Sequence, residues 1–297
     1  MASNLRNYRR EDAAGVLELS RHALQRPEEH VGNPLWATLD ELESELGDWD
    51  LPPEETLLVD EEDGEVVGFG GVEVSRGWDD ADLFGPLVDA RFRGQKLGRA
   101  LLDEALARAR AREAKRVIAA LGTRNRSGAM LLESAGFRPA ERADAVFRLA
   151  RKDHHPVEHV PAGVEFRTGV RDDLSAAYRL YKECFPDGNF PEHAWRAGLE
   201  SGMVYLAEGE SAPVAVVNID RSDRWIYHVG VAESERSRGV GAYLLSRALS
   251  DYWEQHPSET LGLSVRADNV PAIRLYRRQG FAPWLVLQRF ELVLSLS

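Results

Sequence analysis

The chain has 297 residues, 43% of them hydrophobic and 29% charged, with a formal net charge of −12. This length suits one large or two ordinary domains with packed cores. There is no eighteen-residue apolar run to span a membrane, no basic patch to hold nucleic acid, and only one cysteine, Cys184, so no internal disulfide. The charged start, Arg6 to Asp12, is followed by no apolar signal core, and a cytoplasmic location is expected.

In chain order, residues 3–10 read as a strand and Asp12 as the cap of a helix running to about Ala23. Thirteen acids and no base lie from Asp40 to Glu65, which fits a solvated face or, alternatively, a field drawing cationic partners. Leu57–Asp60 and Glu65–Val74 form a hairpin around Asp63-Gly64. The run Ala81–Val88 leads into a turn and a helix over 98–113. A strand follows at 117–121, then a short helix opened by Asn125 that stops at Gly136-Phe137, then a strand at 145–150.

The same series then recurs. Val164–Thr168 is a strand and Leu174–Cys184 a helix capped by Asp172 or Asp173. Residues 203–207 and 213–219 form a hairpin, and Trp225–Val231 leads into a turn and a helix over 241–255. Strand 261–265, a short helix after Asn269 ending at Gly280-Phe281, and strand 285–295 complete the copy. The chain is therefore read as two homologous α/β units, 1–152 and 164–297, with a linker at 153–163 carrying prolines at 156 and 161. The linker's His154, His155 and His159 have no cysteine or carboxylate spacing beside them, and no metal site is expected.

The stretch from Val229 to Tyr243 is where strand hands over to helix, with glycines at 239 and 241 and Leu244, Leu245, Ala248, Leu249 and Tyr252 at helical spacing beyond. Amides from about Arg238 to Ala242 then lie at a helix N-terminus, where no helical carbonyl satisfies them and the dipole favours negative charge. Glycine permits φ > 0 and close approach of a phosphate or pyrophosphate, and Arg236 and Arg238 add positive charge at the rim.

Arg236-x-x-Gly239-x-Gly241 resembles the pyrophosphate loop of the GCN5-related N-acetyltransferases. Leu261-x-Leu-x-Val-x-x-x-Asn269-x-x-Ala272-x-x-Leu275-Tyr276-x-x-x-Gly280-Phe281 resembles that family's second block. The resemblance implies an α/β (α+β) fold: two tandem domains, each a central mixed, mostly antiparallel sheet with helices on both faces. It implies acetyl-CoA as co-substrate and no metal. Backbone of Val229, Gly230 and Val231 would hold pantetheine; Arg236, Ser237, Arg238, Gly239, Val240, Gly241 and Ala242 would hold the pyrophosphate; Asn269, Ala272 and Tyr276 would complete the cofactor site. Tyr276 matches the family's acid.

An amine attacking a thioester must lose a proton, and its oxyanion needs a donor. Many family members place a glutamate eleven residues before the loop arginine; here that residue is Trp225, which cannot be a base. Tyr227 shares its face in a regular strand and His228 lies on the other, while a bulge exchanges them. Both are candidate bases. The acceptor is an amine of a small molecule or peptide, chosen around Phe185–Glu192, where Asp187 and Glu192 could attract a cation.

The first copy departs from the pattern. Lys96 stands at the position of Gly239, where φ > 0 is costly, and Leu132 stands at that of Tyr276, although Asp82 falls at the base position. A degenerate first half is expected, either structural or holding acyl-CoA without turnover. A non-catalytic acyl-CoA-binding protein is the alternative to an enzyme. A monomer, with its copies as a pseudo-dimer, and a homodimer both fit.

Overall fold

The computed structural model describes residues 4–75, 77–256 and 260–294. Ser3 and Ser295, the outermost residues of two expected strands, lie outside them. The first copy runs β1 (Leu5–Asn7), α1 (Ala13–Leu24), α2 (Leu39–Gly47), α3 (Pro53–Thr56), β2 (Leu57–Glu62), β3 (Glu65–Glu73), β4 (Asp80–Val88), α4 (Leu97–Ala111), β5 (Arg116–Gly122), α5 (Arg126–Ser134) and β6 (Arg138–Ala150). The second runs β7 (Glu165–Thr168), α6 (Leu174–Cys184), α7 (Glu192–Glu200), β8 (Val204–Glu208), β9 (Pro213–Asp220), β10 (Trp225–Val231), α8 (Val240–Gln255), β11 (Thr260–Arg266), α9 (Val270–Arg278) and β12 (Ala282–Val293). The fold is the expected mixed α/β arrangement, repeated.

The chain divides into two units, Met1–Ala145 with Leu285–Ser297, and Val146–Trp284. These are not the contiguous stretches 1–152 and 164–297. The difference lies in the last strands, because residues 285–293 of β12 group with the first unit and residues 146–150 of β6 with the second. Pairing explains the first assignment: β12 lies antiparallel on β5 from Leu287↔Gly122 to Val293↔Arg116.

In the first unit β1, β2, β3 and β4 pair antiparallel in succession, while β4 and β5 are parallel over Asp80–Asp82. Its core gathers Trp36, Phe69 and Phe84, with Trp36 5.9 and 5.8 Å from the other two ring centroids. In the second unit β7, β8, β9 and β10 pair antiparallel and β10 meets β11 in parallel. Tyr181, Trp195, Leu206 and Val216 centre its core.

Asp12 does not cap α1 as expected. Its carboxylate receives the Arg9 N–H at 2.7 Å and both Arg6 terminal nitrogens at 2.8 Å. Asp173 repeats this with Val170 N–H at 2.8 Å and Arg167 at 2.6 and 2.7 Å. In each case a charge-assisted fork outcompetes a neutral helix amide. The arginine beside Asp12 holds its carboxyl below the usual range despite burial, and Arg167 does the same for Asp173.

Candidate active site

β10 and β11 are paired only at Trp225↔Gly262 and Ile226↔Leu263. On its other edge β10 follows β9 as far as Val231↔Ala215, with a bulge between Ile226 and His228. Ala232 N–H donates to Val214 O at 2.8 Å, so these two form a hydrogen-bonded pair. Such pairs alternate along an antiparallel ladder, so the N–H groups of Val229 and Val231 turn away from β9, into the gap beside β11. Val231 N–H meets the Cys184 sulfur, whose thiol pKa is raised by burial. Val229 lies beyond the last β10–β11 pair, Ile226↔Leu263, so its N–H faces the gap. Gly230 allows α6 to close over the strand; a Cβ there would stand 3.1 Å from Cys184 Sγ and 3.2 Å from Phe185.

The loop after β10 turns through positive φ at Ser237 (+64) and Gly239 (+85). At Gly239 the nearest neighbour of an added Cβ is Pro161 Cγ at 3.9 Å, so conformation rather than space selects glycine. Gly241 is the opposite case, because its Cβ would stand 2.7 Å from Val231 Cγ2. The first helical bond is Tyr243 N–H to Gly239 O at 3.0 Å, which leaves the amides of Val240, Gly241 and Ala242 without a helical acceptor. Arg236 Nε is anchored on Val231 O at 3.1 Å. Arg238 is less free than expected: it pairs with Glu235 at 2.5 Å and reaches Ala162 O at 3.4 Å.

Asn269 caps α9, accepting from Ala272 N–H at 3.3 Å. Two turns along, Tyr276 is buried between Phe147 and Phe281, at 6.5 and 5.8 Å between centroids. Burial pushes its hydroxyl pKa well above the ordinary value, so it stays protonated. Gln279, fully buried, donates from Nε2 to Ala242 O at 2.9 Å and ties α9 to the first turn of α8. Sequence reasoning missed Gln279. The available signal was the repeat, where Ala135 occupies the matching place.

The bulge separates the two candidate bases. Tyr227 is 41% exposed, 5.6 Å from Phe190, and its hydroxyl donates to Asp223. His228 is enclosed by Tyr181, Phe185, Phe190 and Trp195, with centroids 4.8 to 5.4 Å away. Its Nδ1 is buried without a partner, and desolvation drives its pKa down to about 3. A group so reluctant to hold a proton is a poor base.

The first unit keeps much of this geometry. Gly94 and Lys96 take φ +78 and +67, so Lys96 adopts the conformation it was expected to resist, at a cost of roughly 1–2 kcal/mol. Arg93 Nε is held by Val88 O at 3.1 Å, as Arg236 is by Val231. Asn125 caps α5 through Gly128 N–H at 2.8 Å. A cavity of about 1490 Å³ is lined by Pro86, Val88, Lys96, Asn125 and Leu132 among others. Asp82, set among protein atoms yet reachable by solvent, has its pKa raised to about 6, chiefly by desolvation. No group of three or more His, Cys, Asp or Glu among the described residues could hold a metal, and none of their helices is long and apolar enough to cross a membrane.

A strand pair that parts ahead of a helix N-terminus with a left-handed entry is made twice in the chain. The profile of the Acetyltransferase (GNAT) family matches residues 20–137 and 168–281. The chain belongs to that family and is an N-acetyltransferase; the family uses acetyl-CoA as co-substrate. Mycothiol acetyltransferase of Clavibacter michiganensis subsp. michiganensis is 26% identical over 243 residues, 76% of this chain and 76% of that protein. The [ribosomal protein bS18]-alanine N-acetyltransferase of Escherichia coli K12 is 30% identical over 114 residues, 37% of this chain and 74% of that one. A GCN5-related N-acetyltransferase from Sphaerobacter thermophilus has the same fold, with a TM-score of 0.77 at 24% identity over 98% of this chain and 95% of that one. So does a tandem GNAT protein from the clavulanic acid biosynthesis pathway, with a TM-score of 0.70 at 17% identity and full coverage of both chains.

Proposed function

We propose that the second unit transfers acetyl from acetyl-CoA to a primary amine of a small molecule or peptide by direct attack in a ternary complex. The observation that carries this reading is the Val229 N–H facing the gap where β10 parts from β11. It is a fixed donor for the oxyanion formed when the amine nitrogen attacks the thioester carbon. The pyrophosphate rests on the amides of Val240, Gly241 and Ala242 beside Arg236. As the C–N bond forms and the C–S bond breaks, the departing sulfur takes a proton from the Tyr276 hydroxyl. The amine's proton leaves by the exposed Tyr227 hydroxyl towards Asp223. The products are an amide and free CoA thiol. Asp187, exposed beside α7, supports a cationic acceptor. One relative is named for mycothiol and another for an alanine of ribosomal protein bS18, so both a small molecule and a protein acceptor are kept in the reading.

Tyr276→Phe tests the reading. It should lower kcat about 100-fold or more, since general acid catalysis contributes that much, with acetyl-CoA affinity nearly unchanged. An unchanged rate in a thiol-release assay would remove Tyr276 from the mechanism.

A further inference from the structure

The gap between β4 and β5 in the first unit corresponds to the gap beside Val229, but chain fills it. β4 and β5 pair only over Asp80↔Arg116 to Asp82↔Ile118. Beyond that point residues 28–33, between α1 and α2, run antiparallel along β5 as an irregular segment, in which 28–29 close a 3-10 turn and Val31 makes an isolated bridge. Arg124 N–H donates to Glu28 O at 2.8 Å, Gly122 N–H to His30 O at 2.7 Å, and Gly32 N–H to Ala120 O at 2.6 Å, with Val31 bridged to Leu121. The other wall is bound too, because Gly85 N–H of β4 donates to Asn33 O at 2.8 Å. His30 is 1% exposed and Val31 6%. Gly32 is pressed on β5 so closely that a Cβ would stand 2.5 Å from that of Ala120.

Among the described residues the second unit has no such segment. Ser264 and Arg266, which match Ala120 and Gly122, are exposed, and among the described residues no backbone bonds like those of Gly32 and His30 are made to them. The two gaps therefore differ in kind: one open, one stitched shut on both walls by backbone hydrogen bonds.

We propose that residues 28–33 are an intramolecular strap that seals the first unit against acyl transfer. The strap occupies the backbone groups an acyl-pantetheine arm would need, while the cavity beside it is lined by Val31 and by the loop residues Arg93, Gly94 and Lys96. His30, Val31 and Gly32 are buried and the segment is hydrogen-bonded on both sides, so ligand entering that cavity does not displace it. The inference rests on the reading of these gaps as pantetheine sites, but its test does not require turnover.

Amide hydrogen exchange on the intact chain reads the strap directly. Gly32, Gly85, Gly122 and Arg124 should be protected at least ~100-fold relative to an open loop, as sheet amides are, and saturating acetyl-CoA should leave them unchanged within about twofold. Free-loop exchange at these amides would overturn the proposal. So would deprotection of Gly32 and Gly122 on adding acetyl-CoA, which would mean that the arm displaces the strap. A second readout uses the Cys184→Ser background with Leu121→Cys. The new thiol should resist maleimide, and adding Gly32→Val, which drives the strap off Ala120, should speed labelling at least ~10-fold. Equal, fast labelling with and without Gly32→Val would also overturn it. None of these outcomes touches acetyl transfer in the second unit, which stands or falls on Tyr276→Phe.

Discussion

An imidazolium at His228 would stand among four aromatic rings with its Nδ1 unpaired, which is why its pKa falls to about 3. The native state therefore declines the proton that the unfolded chain takes at about pH 6.5. Between those values the unfolded state binds more protons, so this group's contribution to stability falls as pH drops from 6.5 towards 3. His228→Phe keeps the ring packing and removes the titration. It should flatten that acid limb in a melting-temperature series and change kcat less than about threefold, whereas loss of a general base costs about 100-fold or more. A 100-fold fall in kcat would restore His228 as the base. The contrast marks where sequence reading reached its limit. The cap at Asn269 was legible because it opens a short periodic helix, and Tyr276 was singled out by its place in the family-like block. Tyr227 and His228 were not separable, because one bulge at Ile226/His228 decides which of them is enclosed.

At the scale of elements, periodicity predicted β10, α8, β11 and α9 to within a residue or two, since each buries one regular face. It could not predict where the elements are tied together. Gln279 is such a tie: fully buried, it bonds the carbonyl of Ala242 in the first turn of α8. Gln279→Ala leaves that carbonyl without its donor and opens space between the helices, so it should cost about 1–3 kcal/mol of stability and weaken acetyl-CoA binding more than it lowers kcat. Calorimetric melting and a KM-against-kcat comparison check this; an unchanged melting temperature would show the tie to be idle. In the first unit β4 carries a different signature. Asp82 has its pKa raised to about 6, so its ionised form is disfavoured in the native state. Above pH 6 that disadvantage is complete, and below the ordinary carboxylate value it vanishes. Asp82→Asn should therefore raise the melting temperature at pH 7 and have no such effect near pH 3. An equal rise at both values would assign the effect to something other than ionisation.

For the whole molecule, the repeat was legible from its strand and helix series, but the exchange of the last strands was not. Residues 146–150 and 285–293 carry similar apolar patterns, and a pattern does not say with which of two equivalent units a strand groups. The proposed inequality of the halves starts from the sequence, where Leu132 stands at the place of Tyr276, the proposed acid. Two features of the structure support it further. Position 86 of the first unit matches Val229 of the second and lies in the bulge that follows Leu87↔Phe69. That residue is Pro86, which has no N–H to donate. The strap of residues 28–33 then takes the neighbouring Gly85 amide. Loss of one oxyanion donor alone costs about 100- to 1000-fold in rate, so restoring the acid should not revive the first half. Gly239→Asp, which puts charge and a side chain into the left-handed entry of α8, should abolish turnover, and adding Leu132→Tyr should return none of it. Lys96 already holds the loop conformation, so the same variant can still bind one acyl-CoA or CoA nucleotide through the first unit's cavity, more weakly and with greater salt dependence. Thiol release and calorimetry on Gly239→Asp, with and without Leu132→Tyr, separate binding from turnover; wild-type turnover in either variant would place catalysis in the first half.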